Sequence, residues 1–352
     1  MITRLPTPRR WRWWTPVVAA VVGVLLMPSH VAAQALPEGP GPPRNPLGDA
    51  TLVDGQASLD RLEVHATGVT MPADGESLRV WLLGDDGTTA RYLGDVVPDA
   101  DGAVSFVWDQ PAAENLLAQY SQAVITRETD PAGNVPGGVV VRTGRLDASS
   151  LPQVRRLLSR WPDSRYGIAT VPGLRRQAVI ARDQAWILRE AVITGDWDTA
   201  RRKGEQLVNL VEGRHGLFYA DHNRDGRIED PGDGTGFLPY TWGALTQTQF
   251  TYATAQDEMV AEDAKAIQPP VTFAMMSAGF VRDAAWEVAH GAGPARSREL
   301  AGHLVTATNF MLAAIDPKGD PSLEAVLEER SLTSTVELSR ALVRIGLEEV
   351  SR

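Results

Sequence analysis

Asp221, Asn223 and Asp225 place three oxygen-bearing side chains at alternate positions, and Gly226 follows at once with the freedom to turn sharply. Side chains so spaced can wrap round one hard cation, because the turn folds alternate residues onto a common centre. Arg227 would add its main-chain carbonyl, and Ile228 would plug the loop into the core. Glu229, Asp230 and Asp233 follow with further carboxylates. So many oxygens in a flexible loop suit calcium better than magnesium, which demands a stricter octahedron. The competing reading is a solvated turn, since Asp, Asn and Gly favour turns on their own account.

The run Asp-x-Asn-x-Asp-Gly followed by a backbone ligand is the opening half of an EF-hand loop. The second half departs from that pattern, because position twelve is Gly232 instead of glutamate. The closing carboxylate then falls to Asp233 or Asp230, with Glu229 able to act through water. The predicted metal set is therefore Asp221, Asn223, Asp225, Arg227 through its carbonyl, Asp230 and Asp233, with calcium as a structural ion.

Other candidates are weaker. Asp99-Ala100-Asp101-Gly102 lacks the first ligand of such a loop and reads as a turn between strands. Glu287-x-x-His290 is the step used twice in di-iron bundles, but there is no second copy, and Glu299 and His303 are one residue too far apart. His65, His215 and His222 match no ligand position and read as neutral surface histidines. Trp186, Trp197, Trp242 and Trp286 fall near helical apolar stripes and read as core instead of a sugar platform. The chain carries no Gly-x-Ser-x-Gly, His-Glu-x-x-His, phosphate loop or dinucleotide fingerprint.

Composition narrows the chemistry further. With no cysteine in 352 residues, thiol catalysis, disulfides, iron–sulfur clusters and thiolate zinc sites are out, so any metal must take oxygen or imidazole ligands. A formal charge of −10 argues against nucleic acid as a partner, since phosphate neutralisation needs a basic face. Residues 1–35 hold Arg4, Arg9, Arg10 and Arg12 but no acid, then an apolar stretch from Pro16 to Met27 and a small-residue end, Val31-Ala32-Ala33-Gln34-Ala35. That is the layout of a secretory signal peptide, with cleavage after Ala33 or Ala35; an uncleaved anchor is the alternative and would be the sole source of membrane contact. Export follows, to the periplasm, the cell surface or the medium.

The elements that must position the loop divide the rest of the chain. Residues 36–49 form a proline-rich linker (Leu36 to Pro46 reads LPEGPGPPRNP). From 50 to 146 the pattern has period two: Leu62, Val64 and Ala66 alternate with Glu63, His65 and Thr67, and Val104, Phe106 and Trp108 alternate with Ser105 and Val107. Turn signals at Asp74-Gly75, Asp86-Gly87, Asp101-Gly102 and Pro131-Ala132-Gly133-Asn134 separate the runs. This predicts an all-β sandwich of about seven strands. From 147 to 352 the periodicity is helical and predicts an all-α bundle of four to six helices with its own core, the metal loop at 221–233 inside it. One helix starts near Pro172, buries Leu174, Ala178, Ala181, Ala185, Leu188 and Val192, and stops at Gly195; Asp196 caps the next, which stops at Gly213. Further helices are predicted over 241–267, 270–290, 296–315 and 335–350, with Pro269-Pro270 breaking the first two apart and a capping box at Ser334 and Glu337.

Leu78 to Leu83 (LRVWLL), Leu93-Gly94, Val124 to Glu128 (VITRE) and Pro136 to Val140 (PGGVV) resemble the extracytoplasmic C-terminal domain of anti-sigma-K-type factors, over about residues 50–146. The stretch from Ala200 to Leu238 is similar to a group of exported bacterial proteins that join such a sandwich to a helical half with a D-x-[DN]-x-D-G loop. The resemblance implies a β-sandwich outside the membrane. Anti-sigma factors place a sigma-binding domain before their membrane segment, and only about fifteen residues precede the apolar stretch here. Sigma-factor inhibition is therefore not expected. The leading reading is a non-catalytic, calcium-binding interaction or sensing module of the bacterial envelope, whose partner is another envelope protein or a surface polymer. The alternatives are an envelope hydrolase with carboxylates at the domain interface, or a metal-carrying helical bundle.

Overall fold

The computed structural model describes residues 47–129, 133, 135–315 and 335–349. The signal segment, nearly all of the linker, Pro131, Ala132, Asn134 and Ser334 lie outside the described residues. Within them are two four-stranded antiparallel sheets and seven α-helices.

The strands are β1 (Gly48–Val53), β2 (Arg61–Ala66), β3 (Ser77–Leu83), β4 (Ala90–Val96), β5 (Val104–Asp109), β6 (Gln122–Glu128), β7 (Val139–Arg145) and β8 (Arg344–Gly346). One sheet runs β5-β2-β1-β8 and the other β4-β3-β6-β7. The predicted alternation holds on β2, where Leu62, Val64 and Ala66 are buried and His65 faces solvent. β3 is covered on both faces: Trp81 is fully buried opposite Val80 and Leu82, and its indole N–H donates to the Thr126 hydroxyl at 2.9 Å. Gly75, Gly87 and Gly102 take positive φ at the predicted turns. The Asp99 carboxylate accepts the N–H groups of Asp101 and Ala103, which makes that segment a turn leading from β4 in one sheet to β5 in the other.

β8 departs from expectation. The chain from 335 was predicted to be helical to 350, yet the helix stops at Ala341 and the next residues add a strand to the free edge of β1. Val343, Ile345 and Leu347 are buried between Arg344, Gly346 and Glu348, so a short apolar run fits period two as well as period 3.6. Leu347 donates to the Gly48 carbonyl at 3.0 Å, and Glu348 exchanges two hydrogen bonds with Thr143 of β7. The unpaired edge of β1 decides the outcome.

The helices are α1 (Leu151–Leu158), α2 (Thr170–Thr194), α3 (Trp197–Glu212), α4 (Phe237–Thr254), α5 (Glu258–Ala289), α6 (Pro294–Ile315) and α7 (Thr335–Ala341). The six stripe residues predicted for α2 are all buried, Gly195 ends that helix at φ 79°, and the Asp196 carboxylate caps α3 by accepting the Thr199 N–H. The proline pair does not break the chain. Pro269 and Pro270 lie inside α5, with Pro269 on its exposed side, and one buried stripe (Ile267, Val271, Ala274, Ala278) continues across them. The carbonyls that lose their donors belong to Lys265, which is exposed, and Ala266, which is half-buried, both off the fully buried stripe. The break comes instead at 255–257, where Asp257 caps α5 by accepting the Met259 N–H at 2.8 Å.

A separate core for each half was expected, but the buried side chains of both sheets and the helices form one cluster from Ala50 to Leu347. α1 joins them. Arg155 holds the Asp85 carboxylate through two nitrogens at 2.6 and 2.8 Å and the Leu117 carbonyl at 2.8 Å. Asp147 adds a second tie, since its carboxylate accepts the N–H groups of Gln256 (2.6 Å) and Asp257 (3.2 Å) ahead of α5. Burial alone would raise that carboxyl, but the Ser149 hydroxyl and the N–H groups of Asp257, Ser149 and Gln256 outweigh it and hold it below the ordinary range. Asp147→Ala is expected to cost about 1 kcal/mol, as for other lost caps, measured by urea unfolding. A carboxyl lowered on folding stabilises fully above about pH 3.9 and loses that effect as pH falls through its folded value. The gap between wild type and variant should therefore narrow as pH falls below about 3.9; a gap that stays constant through acid refutes this assignment.

Candidate metal loop between α3 and α4

The loop is held by α3. Glu205 is completely buried; one carboxylate oxygen accepts the N–H groups of His222 and Asn223, each at 3.1 Å, and the other accepts that of Glu229 at 2.9 Å. One turn later Asn209, also completely buried, takes the Ala220 N–H at 3.0 Å and donates to the carbonyls of Ala220 and Glu229. Two α3 side chains thus clamp both ends of the 221–229 segment. The exits meet at Gly213, whose φ is 73°: Arg214 donates to the Gly234 carbonyl at 3.0 Å, and a Cβ on Gly213 would fall 1.9 Å from the Thr235 carbonyl oxygen. No side chain fits there.

Inside the loop, Asp221 is the centre. Its carboxylate accepts the N–H groups of Arg224 (2.7 Å), Asp225 (3.2 Å) and Gly226 (2.9 Å). Asn223 accepts the Asp225 N–H and donates to the Asp225 carboxylate at 3.1 Å, and Asp225 accepts the Arg227 N–H. Gly226 at φ 86° makes the sharp turn, and Arg224 shares the left-handed region at φ 65°. Asp221, Asn223 and Asp225 are therefore brought together as an outer group.

Asp230 and Asp233 form an inner group. Asp233 is buried and accepts the Thr235 N–H at 2.8 Å and the Tyr240 hydroxyl at 2.9 Å. Burial pushes the Tyr240 hydroxyl up to about 12, with the Asp233 charge adding to the rise and the Thr235 hydroxyl opposing it. Burial likewise raises the Asp230 carboxyl; the Gly232 N–H opposes this, the Asp233 charge adds to it and Arg165 offsets it. Among the described residues, no three His, Asp or Glu side chains are gathered closely enough to hold a metal ion. Glu229 is engaged by the Gln206 amide at 2.6 Å.

Several expectations are corrected. Ile228 is 53% exposed and plugs nothing, because Glu205 and Asn209 anchor the loop through its backbone. His222 is buried, not a surface residue: its Nε2–H donates to the Phe218 carbonyl at 2.6 Å and its ring packs 5.3 Å from that of His290. Trp186, Trp242 and Trp286 are 46%, 62% and 40% exposed, while Trp197 packs against the core. Trp186 and Trp286 instead cover polar neighbours, Arg189 and His290. Glu287 pairs with Arg296, and His290 Nδ1–H donates to the Trp286 carbonyl at 2.9 Å. A cavity of about 220 Å³ beside α3 is lined by Trp197, Arg201, Val288 and Ser297 among others, and by no carboxylate.

Glu205 and Asn209 were not picked out from sequence. A signal was available: acid, amide and acid at 205, 209 and 212 run at helical spacing along α3, against the apolar stripe and directly before the loop. No family model, curated protein or solved structure matches the chain.

Proposed function

We propose that this chain is an exported, non-catalytic calcium-binding module of the bacterial cell envelope, serving interaction or sensing. The observation that carries the reading is the fold of the outer group. Asp221 already gathers three loop N–H groups, with Gly226 supplying the turn, while Glu205 anchors the segment on either side. Calcium would bind the side chains of Asp221, Asn223 and Asp225 and the main-chain carbonyl of Arg227, with water completing six to eight oxygens. The inner carboxylates Asp230 and Asp233 add negative field.

In this reading the two sheets form a β-sandwich over about 50–146 and residues after 147 form a helical bundle that carries the loop. β8 belongs to the sandwich although it comes from the far end of the chain. The exposed Trp186, Trp242 and Trp286 support a partner-binding role, because aromatic side chains are enriched where proteins meet partners. The partner is another envelope protein or a surface polymer.

Two measurements test the proposal. Calorimetric titration of the full chain with calcium chloride should saturate, and Asp221→Ala should lose that heat; a flat wild-type titration refutes the ion. Protein recovered outside the cytoplasm should begin near Gln34 or Leu36 on N-terminal sequencing. Intact Met1 in a soluble cytoplasmic fraction would end the export claim.

A further inference from the structure

The chain is acidic as a whole, with a formal charge of −10, yet residues 155–176 hold six arginines and a single acid, Asp163. Arg155 is paired with Asp85, but among the described residues Arg160, Arg165 and Arg214 form no ion pair. The turn between α1 and α2 carries the first two of these. It is closed by a bridge between Arg160 and Ile168 and pinned by Trp161, which is buried with its ring 5.6 Å from that of Tyr240. The Arg165 N–H donates to the Thr235 hydroxyl at 3.2 Å, and the Arg214 N–H donates to the Gly234 carbonyl at 3.0 Å, so two turns meet at Gly234. That glycine, at φ 83°, has no side chain to keep them apart. A Cβ there would lie 3.1 Å from Arg165 Nη1 and 3.7 Å from Arg214 Cδ. Both arginines are exposed, and Arg165 lies 5.0 Å over the Tyr166 ring, itself 63% exposed. The acids beside Gly234 are engaged elsewhere. Asp233 is buried on the Thr235 N–H and the Tyr240 hydroxyl, and Asp230, which feels the Arg165 charge through space, accepts the Gly232 N–H.

We infer that Arg165 and Arg214 form a clamp for a phosphate group of an anionic surface polymer, with Arg160 and Tyr166 beside it on the same turn. One guanidinium fork matches the two oxygens of a carboxylate; two forks offer donors to the larger oxygen set of a phosphate. The site is open, which suits a group carried on a long chain, whereas a small molecule is held in an enclosing pocket. Neighbouring phosphates of the same polymer can then reach Arg160, which folds over Gly167 with its Nε 3.1 Å from the Cβ position there. The acidic remainder of the chain does not forbid this, because at physiological salt exposed charges more than about 8 Å apart are largely screened. The polymer as partner rests on the reading of the chain as an exported interaction module; the clamp itself rests on the arginines.

The test is calorimetric titration of the full chain, with calcium held constant, by a glycerol-phosphate oligomer; inorganic phosphate and phosphatidylglycerol vesicles are the other arms. The oligomer is expected to bind, to bind less as salt rises, and to lose about tenfold or more in affinity in Arg165→Ala and in Arg214→Ala. Arg165→Lys should lose nearly as much, because it keeps the charge without the fork. Arg298→Ala, at an exposed position of α6, should bind as wild type does. If an alanine variant misfolds by circular dichroism, Arg165→Lys and Arg214→Lys carry the test. No binding of the oligomer overturns the clamp. So does binding that survives both alanine variants, as it would if calcium bridged the polymer to the loop, or wild-type binding by Arg165→Lys. Inorganic phosphate bound as tightly as the oligomer, or vesicles bound in its place, overturns the polymer as the source of the phosphate. A flat calcium titration leaves the clamp standing, and loss of the clamp leaves the calcium loop standing, so the two readings fail separately.

Discussion

Glu205→Ala is expected to destabilise the protein by roughly 3 kcal/mol or more, the largest effect of any single substitution near the loop. The carboxylate is completely buried and accepts three backbone N–H groups, those of His222, Asn223 and Glu229. Alanine leaves all three without an acceptor, at about 1–3 kcal/mol for each that stays buried, and opens a cavity besides. With an unfolding entropy of about 2.1 cal/mol/K per residue, 1 kcal/mol moves the midpoint of a chain this long by about 1.5 °C, so the melting temperature should fall by roughly 4–5 °C. Glu205→Gln keeps one acceptor oxygen and should fall between wild type and alanine. Thermal and urea unfolding would check this, and a loss under about 1 kcal/mol would show that water or a rearranged loop replaces the carboxylate. The substitution should also weaken calcium binding, because the loop would lose its anchors at residues 222–223 and at 229.

Calcium should raise the melting temperature of the wild type. A ligand that binds only the folded chain stabilises by RT ln(1 + [L]/Kd), so calcium at a hundredfold excess over Kd adds about 2.7 kcal/mol. By the same conversion the shift is about 4 °C. Asp221→Ala should remove most of it, because it deletes both a ligand and the acceptor for the Arg224, Asp225 and Gly226 N–H groups. His222→Ala separates folding from ion binding. Its ring is buried against His290 and bonded to the Phe218 carbonyl, so its loss should lower the starting melting temperature while the calcium increment survives. Identical melting curves in calcium and in chelator would reduce the loop to a turn and remove the basis of the proposed function.

The residues within the loop were legible because their interactions are local. Asp221, Asn223, Asp225 and Gly226 are held together by bonds that span two to five positions, and sequence spacing reports such geometry directly. The same holds for the α2 stripe, the Asp196 cap and the alternation on β2, each set by the period of one element. Residues 335–350 were misread because a seven-residue helix and a three-residue strand are too short for periodicity to separate. What settled them is the free edge of β1, about 290 positions away in the chain.

Sequence alone thus determined the strand-rich first half, the principal helices, and the chemistry on offer at 221–233, because each depends on neighbours a few residues apart. Tertiary structure decided how those residues are used. It put Glu205 and Asn209 under the loop, divided the acids into an outer and an inner group, buried His222 and exposed three tryptophans. It also aimed Gln177 at Gly232, a meeting of α2 with a loop more than fifty residues later. A buried amide reads in sequence as one more polar residue on a helix. Its place against the loop is a property of the packed interior, which joins positions that spacing along the chain does not relate.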